Sequence, residues 1–150
     1  MPAADIQTPP VNTQTNNSSL QADTSNWNTY KNVQYKFIIK YPKEWVAYQK
    51  SGLQNNRVFV SFREADAITQ SFSVFLNIDS APSLLDTAKN VQYLTINGIQ
   101  AKMATLIDSR GISYFRIGFL KDGYNYEIAS NGLNNEEKII KTMAQTLKFE

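Results

Sequence analysis

The side chains of this sequence that could do acid–base chemistry are carboxylates, because it contains no histidine and no cysteine. That absence removes thiolate nucleophiles, disulfides, the usual zinc ligands and every Ser-His or Cys-His dyad. A glycosidase-type reaction would need two carboxylates facing one cleft. The candidate pairs are Glu64 with Asp66 and Glu136 with Glu137. We favour solvated loop charge for the first pair and favourable placement at a helix N-terminus for the second, so we predict no catalytic residues and no enzyme.

Two further patterns bear on metal or ligand binding. The segment Asp122-Gly123-Tyr124-Asn125 lacks the alternating oxygen ligands of an EF-hand loop, and a hairpin turn explains it better. We therefore predict no metal site and no cofactor. The eight tyrosines and two tryptophans could form a surface on which sugars or peptides stack, although aromatic side chains also fill sheets. The candidates for such a ligand or partner surface are Tyr114, Tyr124 and Tyr126.

Composition favours a folded domain without a nucleic-acid partner. Apolar residues make up 42% of the chain, enough for burial to offset chain entropy. The net charge is +2, and the first 26 residues hold two acids and no base, which leaves +4 for the rest. Basic residues between positions 31 and 63 are only loosely clustered, whereas nucleic-acid binders concentrate them on one face. We interpret them as solvated charge at a sheet edge.

Residues 1–26 are predicted to be a disordered polar tail or linker, and residues 27–150 one domain. The tail is rich in Thr, Gln, Asn, Ser and Pro, and it lacks the basic start and apolar core of a signal peptide. Such a tail is what remains when an export signal or lipid anchor has been removed, so we expect one upstream of Met1. As a flexible tether it would reach about 28 Å. The alternative is a dispensable terminus with no anchor.

Alternating apolar and polar residues predict an antiparallel sheet. Tyr35 to Tyr41 has a period of two that places its aromatic side chains on one face, and Thr29 to Lys31 completes a hairpin. Pro42 ends the strand, and Trp45 can fold back over it. Phe72, Val74, Leu76 and Ile78 alternate in the same way. Asn97-Gly98 supplies the positive φ angles of a type I′ hairpin turn.

Two segments predict helices. Ser83 is a suitable N-cap before Leu84, Ala88 and Val91, which would form an apolar stripe. Near the C-terminus, Asn134 is predicted as an N-cap and Glu137 completes a capping box. Ile140, Met143, Ala144 and Leu147 then recur at helical spacing. Together these elements predict an α+β fold, an antiparallel β-sheet with helices packed on its faces.

The opening of the domain resembles that of PsbP-like domains. Its pattern is Trp27-x-x-Tyr30-x-Asn32-x-x-Tyr35-x-Phe37-x-Ile39-x-Tyr41-Pro42-x-x-Trp45. The hairpin around Asn97-Gly98 and the segment from Met143 to Phe149 are also similar to parts of that superfamily. The resemblance implies an α/β/α sandwich in which Phe37, Tyr41, Pro42 and Trp45 are structural. Relatives often have Gly before the Phe, where this chain has Lys36. The tail does not resemble a photosystem-docking region, so photosystem binding is not implied.

The resemblance and the missing catalytic residue types lead to one functional expectation. We expect a non-enzymatic, extracytoplasmic PsbP-like domain, lipoprotein-like and tethered at the cell surface or in the periplasm, that binds a protein or an envelope component. It would be a monomer and would touch a membrane only through the upstream anchor. Two alternatives stay open: an intracellular partner-binding adaptor of the Mog type, and a carboxylate-based hydrolase.

Overall fold

A computed structural model describes residues 22–50, 57–65, 74–130 and 136–150 of the chain, except for the side chain of Glu136. These residues form ten strands, one 3₁₀ turn and one α-helix. The first five strands are β1 (Asn28–Asn32), β2 (Phe37–Tyr41), β3 (Trp45–Lys50), β4 (Val58–Glu64) and β5 (Val74–Asp79). After the 3₁₀ turn (Leu84–Asp86) come β6 (Gln92–Ile96), β7 (Ile99–Ile107), β8 (Ser113–Lys121), β9 (Tyr124–Ser130), helix α1 (Glu136–Thr146) and β10 (Lys148–Phe149).

Seven of these strands form one antiparallel sheet in the order β3-β4-β5-β9-β8-β7-β6. Because successive strand residues point to opposite faces, every second residue of the central strands faces the core. We call this side the inner face. Its fully buried members include Val60, Phe62, Val74, Leu76, Ile78, Ile117 and Ile128. The alternation predicted for residues 74–79 is confirmed, whereas Phe72 lies outside the described residues.

A small second sheet and helix α1 cover the inner face. The second sheet has the order β1-β2-β10, with Tyr30 opposite Ile39 in the first pair. Rings from this sheet pack on the larger one, for example Tyr30 against Phe62 with centroids 5.9 Å apart. The helix and β2 are joined by the Lys40 N–H, which donates to Thr146 Oγ at 2.9 Å. The predicted helix stripe is confirmed, since Ile140, Met143, Ala144 and Leu147 are all completely buried.

The entry hairpin has the predicted strands and one strained residue between them. Trp45 is only 6% exposed, as expected for a ring folded over the end of β2. Lys36 has a φ of +50°, in the left-handed region that glycine adopts without steric cost. This is the position at which PsbP-like relatives often carry Gly. The Asn97-Gly98 turn also has the predicted form, with φ values of +48° and +78°.

The described residues do not show helices on both faces of the sheet, since their one α-helix covers the inner face. The segment after Pro82 forms only the 3₁₀ turn Leu84–Asp86, although Ser83 caps it as predicted, with Oγ accepting from the Leu85 N–H at 3.1 Å. The predicted apolar stripe is wrong, because Leu84 is 54% exposed and Leu85 is the buried residue. Leu85 is drawn down onto the sheet, and that contact replaces a regular helix. The predicted cap at Asn134 lies outside the described residues.

The described residues contain no helix that is both long and apolar enough to cross a membrane. The predicted boundary between tail and domain at Trp27 stays a prediction. Just before it, the carbonyl oxygen of Thr24 accepts hydrogen bonds from the Trp27 N–H and from Lys40 Nζ.

Candidate ligand-binding site

The three tyrosines predicted as a ligand surface lie on two different faces of the seven-stranded sheet. Tyr126 pairs with Phe119 and Tyr124 pairs with Lys121, so both tyrosines share the inner face. Tyr114 lies on the opposite side, which we call the outer face. The structure therefore brings Tyr124 and Tyr126 together and separates Tyr114 from them. A ligand role for each of the three stays a prediction.

Tyr124 and Tyr126 meet the entry hairpin in a concave region that we call the tyrosine cleft. It has a volume of about 330 Å³, and its aromatic lining is Tyr35, Tyr124, Tyr126 and Phe149. The Tyr35 ring stands edge-on to Tyr124, with centroids 5.2 Å apart. Tyr126 is only 2% exposed and stacks on Phe119, so its main contacts are with the core. Burial, reinforced by the negative charge of Asp122, raises the pKa of Tyr126 to about 12.

A second concave region crosses the outer face, and we call it the outer groove. Its volume is about 340 Å³, at the small end of the range for ligand sites. One wall is the ring pair Phe59 and Phe75, whose centroids are 5.0 Å apart. The other wall is the turn between β7 and β8, which carries Asp108, Arg110 and Ile112. The remaining lining is Arg57, Asn77, Tyr114, Arg116, Glu127, Ala129 and Ser130.

The floor of the outer groove contains an ion pair that is largely withdrawn from solvent. Arg116 Nη1 donates to Glu127 Oε2, and the two side chains are 18% and 7% exposed. The other carboxylate oxygen of Glu127 accepts from the Ser83 hydroxyl. Among the described side chains, Arg116 Nε is the one buried polar atom without a hydrogen-bond partner. The guanidinium face also lies over the Tyr114 ring, 5.5 Å from its centroid.

The segment around the 3₁₀ turn lies against the outer face beside Glu127, and we call residues 81–86 the strap. Leu85 lies directly over Gly118, where an added Cβ would stand 2.9 Å from Leu85 Cδ1. Glycine allows this close approach, because an added side chain would force Leu85 to shift. Lys102 Nζ donates to Asp86 at 2.7 Å and lowers the pKa of that carboxyl. The strap thus holds Ser83 in place to bind Glu127.

Two exposed arginines stand at the rim of the groove. Arg57 Nε donates to Asn77 Oδ1 at 2.9 Å and lies 3.4 Å from Asp79 Oδ2. Arg110 binds Asp108 through Nε and Nη2 at 3.0 and 2.7 Å, which lowers the pKa of Asp108. The Arg57 and Arg110 side chains are 45% and 75% exposed. Each arginine thus presents its guanidinium to solvent, whereas the partner carboxylates of Asp79 and Asp108 are only 25% and 21% exposed.

The carboxylates considered for catalysis are not assembled into one cleft by the described residues. Glu64 is exposed at the end of β4, and its candidate partner Asp66 lies outside the described residues. Glu137 is paired with Lys141 on the solvent side of α1, and nothing is described of the Glu136 side chain. Asp122 and Gly123 form the expected hairpin turn, with φ values of +51° and +81°. Groups of three or more acidic side chains that could hold a metal do not occur in the described part of the chain.

Sequence reasoning missed the residues at the floor of the outer groove. Arg116 and Glu127 each occupy a position that faces away from the core in a predicted strand, which by itself indicates only solvated charge. A usable signal did exist, because the two strands form one hairpin and carry opposite charges at outward positions. The contribution of Ser83 gave no such signal, since it depends on the strap lying across the sheet.

The chain was compared with known proteins at three levels. No protein-family model matches it, and no curated protein matches it. It is similar to the solution structure of cyanobacterial PsbP (CyanoP) from Synechocystis sp. PCC 6803, with a TM-score of 0.57 and 11% identity over 86% of this chain and 95% of that one. A crystal structure from Bacteroides thetaiotaomicron is similar with a TM-score of 0.54 and 9% identity, and the match covers 83% of this chain but 49% of that one. At these identities the likeness is one of fold, and this chain has a PsbP-like fold.

Proposed function

We propose that this chain is a non-enzymatic binding domain that acts outside the cytoplasm and recognises a protein or an envelope component through its outer face. The observation that carries the proposal is the outer groove. It is a concave region with one aromatic wall and a largely buried cation on its floor. Ligand sites combine an apolar lining with a few fixed polar groups in this way.

The remainder of the outer face supports a binding role. The inner face is covered by α1 and the three-stranded sheet, whereas in the described residues the outer face is crossed only by the strap. Large apolar side chains on that face are left open to solvent in two places, on edge strand β3 and towards the opposite edge on β6 and β8, and exposed apolar patches are typical of interaction surfaces. They are Val46, Tyr48, Tyr93 and Leu120, with exposures of 42%, 61%, 60% and 65%.

The fold supports a binding or structural role, as opposed to a catalytic one. The sequence of the entry hairpin resembles that of PsbP-like domains, and the structural similarity to cyanobacterial PsbP agrees with this resemblance. Export and tethering are further parts of the proposal, supported by the polar composition of residues 1–26, which resembles a linker. Function is inferred from the groove, because one fold can host many functions.

Site-specific photo-crosslinking in the source cells tests the surface. A crosslinking residue at Tyr114 or Leu120 should give one discrete adduct, and a matched one at Lys138, which is exposed on α1, should give none. Adducts from Lys138 alone would move the binding surface to the helix side and contradict the proposal. Protease treatment of intact cells tests the location, since an extracytoplasmic domain is digested and a cytoplasmic one is protected. Protection would favour the Mog-type adaptor.

A further inference from the structure

The outer groove carries more positive than negative charge among the side chains that line it. Three arginines, Arg57, Arg110 and Arg116, face two carboxylates, Asp108 and Glu127. Both Glu127 oxygens are already used, one by the Ser83 hydroxyl and one by Arg116. A group entering the groove therefore meets arginine donors that have unused hydrogen-bonding capacity, and not free carboxylate acceptors. That arrangement favours an anion.

Arginine geometry narrows the class of anion. A guanidinium presents five N–H donors in a planar fork that matches a carboxylate. Within the described residues, Nη1 is the one nitrogen of Arg116 that has a hydrogen-bond partner, and Arg116 lines the groove. At the rim, Arg110 and Arg57 form ion pairs in which the arginine is the exposed partner. A carboxylate on the ligand can therefore bind each guanidinium from the solvent side, beside Asp108 or Asp79.

The walls indicate what accompanies the carboxylate. Phe59 and Phe75 form a partly exposed ring pair beside the arginines, and Ile112 on the facing turn is 38% exposed. These surfaces would be covered by an apolar side chain next to the charged group. The volume of about 340 Å³ is small, so the groove accommodates one or two residues of a chain and leaves the rest of a ligand outside.

We propose that the outer groove binds the free carboxylate of a peptide segment whose neighbouring side chain is apolar. This inference rests on the proposed function and names the chemistry of the partner. The carboxylate can come from a chain terminus or from an acidic side chain. In either case, Arg110 and Arg57 bind the carboxylate above Arg116, and the apolar side chain packs on Phe59 and Phe75.

Nuclear magnetic resonance titration of the ¹⁵N-labelled full chain tests this proposal with small probes. N-acetyl-phenylalanine represents a terminal carboxylate, N-acetyl-phenylalanyl-glutamate α-amide represents a side-chain carboxylate, and N-acetyl-phenylalanine amide is the uncharged control. We expect at least one of the two acids to shift the backbone amides of Phe75, Tyr114 and Arg116 in a saturable way. The amide should bind at least about tenfold more weakly, since charge-assisted hydrogen bonds are about twice as strong as neutral ones.

Rim variants test the assigned roles. Arg110→Gln and Arg57→Gln should each weaken acid binding by roughly threefold to tenfold. The matched control is Arg63→Gln, because Arg63 lies on the outer face of β4 but does not line the groove. It should leave the affinity unchanged. Both rim arginines are exposed, so these variants are expected to fold, and their amide spectra will report it.

Three outcomes would overturn the inference: equal binding of acid and amide, shifts confined to the tyrosine cleft, and no shift in the groove at the solubility limit of either acid. Equal weakening by Arg63→Gln would also overturn it, since the effect would then be one of overall charge. Failure of the proposed function is distinguishable. If Tyr114 crosslinks a partner while neither acid binds, the carboxylate inference fails and the binding role remains.

Discussion

The two faces of the seven-stranded sheet are stabilised in different ways. On the inner face, side chains such as Phe62 and Leu76 are completely buried against other apolar groups. On the outer face, the most buried side chain with a charge is Glu127, which is held by Arg116 and Ser83. Apolar burial is non-directional and tolerant, whereas a buried charge requires particular partners at particular distances.

This difference separates the part of the domain that makes it fold from the part that can bind. On the inner face, α1 and the small sheet cover the core side chains, and among the described residues the tyrosine cleft lies at its border with the entry hairpin. The outer face keeps aromatic and guanidinium groups partly open in the outer groove. Substitutions on the inner face should therefore lower the free energy of unfolding, and those at the rim of the outer groove should affect binding alone.

The largest expected effect comes from Trp45, the buried residue at the start of β3. Trp45→Ala removes a ring that is 6% exposed, and its free energy of unfolding should fall by about 3–5 kcal/mol. The matched control is Tyr48→Ala on the same strand, because Tyr48 is 61% exposed on the outer face. Its change should stay within about 0.5 kcal/mol. Urea denaturation measures both changes. A loss below about 1 kcal/mol for Trp45→Ala is in the range of ordinary surface substitutions, and it would mean that the Trp45 ring is not packed in the core.

Breaking the buried ion pair on the outer face should have the next largest effect. Glu127→Gln leaves the largely buried Arg116 without a counter-charge, and we expect a loss of about 2–3 kcal/mol in the free energy of unfolding. The exposed pair of Lys31 with Glu150 provides the comparison, since Lys31→Gln should cost less than about 1 kcal/mol. Replacing both buried partners, Arg116→Met with Glu127→Leu, should recover most of the loss. Equal losses for Glu127→Gln and Lys31→Gln would mean that the floor of the groove is solvated.

The same contrast explains which features could be predicted from the sequence. Inner-face residues such as Val74 and Ile140 follow the periods of strands and helices, so local pattern alone identified them. The strap could not be identified in this way. Ser83, Leu85 and Gly118 act through contacts between segments more than thirty residues apart in the chain, and local helix signals after Pro82 pointed elsewhere. The alternation of apolar and polar residues identifies which face of a strand is buried. It carries no information on which hydrogen-bond or ion-pair partners a polar residue on the other face will have.

A smaller effect tests how closely the strap is seated on the outer face. Gly118→Ala adds a methyl group 2.9 Å from Leu85 Cδ1 and 3.3 Å from the Tyr126 carbonyl oxygen. We expect a loss of about 1–2 kcal/mol in the free energy of unfolding, as is typical of overpacking. In a Leu85→Ala background the same substitution should cost close to nothing, because the obstructing methyl is gone. A double-mutant cycle measures this coupling, and additive losses would show that the strap does not rest on Gly118.

The smallest predicted effect concerns the border between the inner face and the tyrosine cleft. Burial raises the pKa of Tyr126 to about 12, compared with 10.0 for an ordinary tyrosine. The folded state thus holds the phenol proton more tightly than the unfolded state does. The contribution of this proton to the free energy of unfolding is fully present below pH 10 and is lost as the pH rises through 12. Solvent at the cleft screens the effect, so we expect a contribution of about 1 kcal/mol. Urea midpoints measured between pH 9 and pH 12 should fall less steeply for Tyr126→Phe than for the unmodified chain. If the urea midpoints of the two proteins fall in parallel with pH, water reaches the Tyr126 phenol, and the tyrosine cleft is then an open surface like the outer groove.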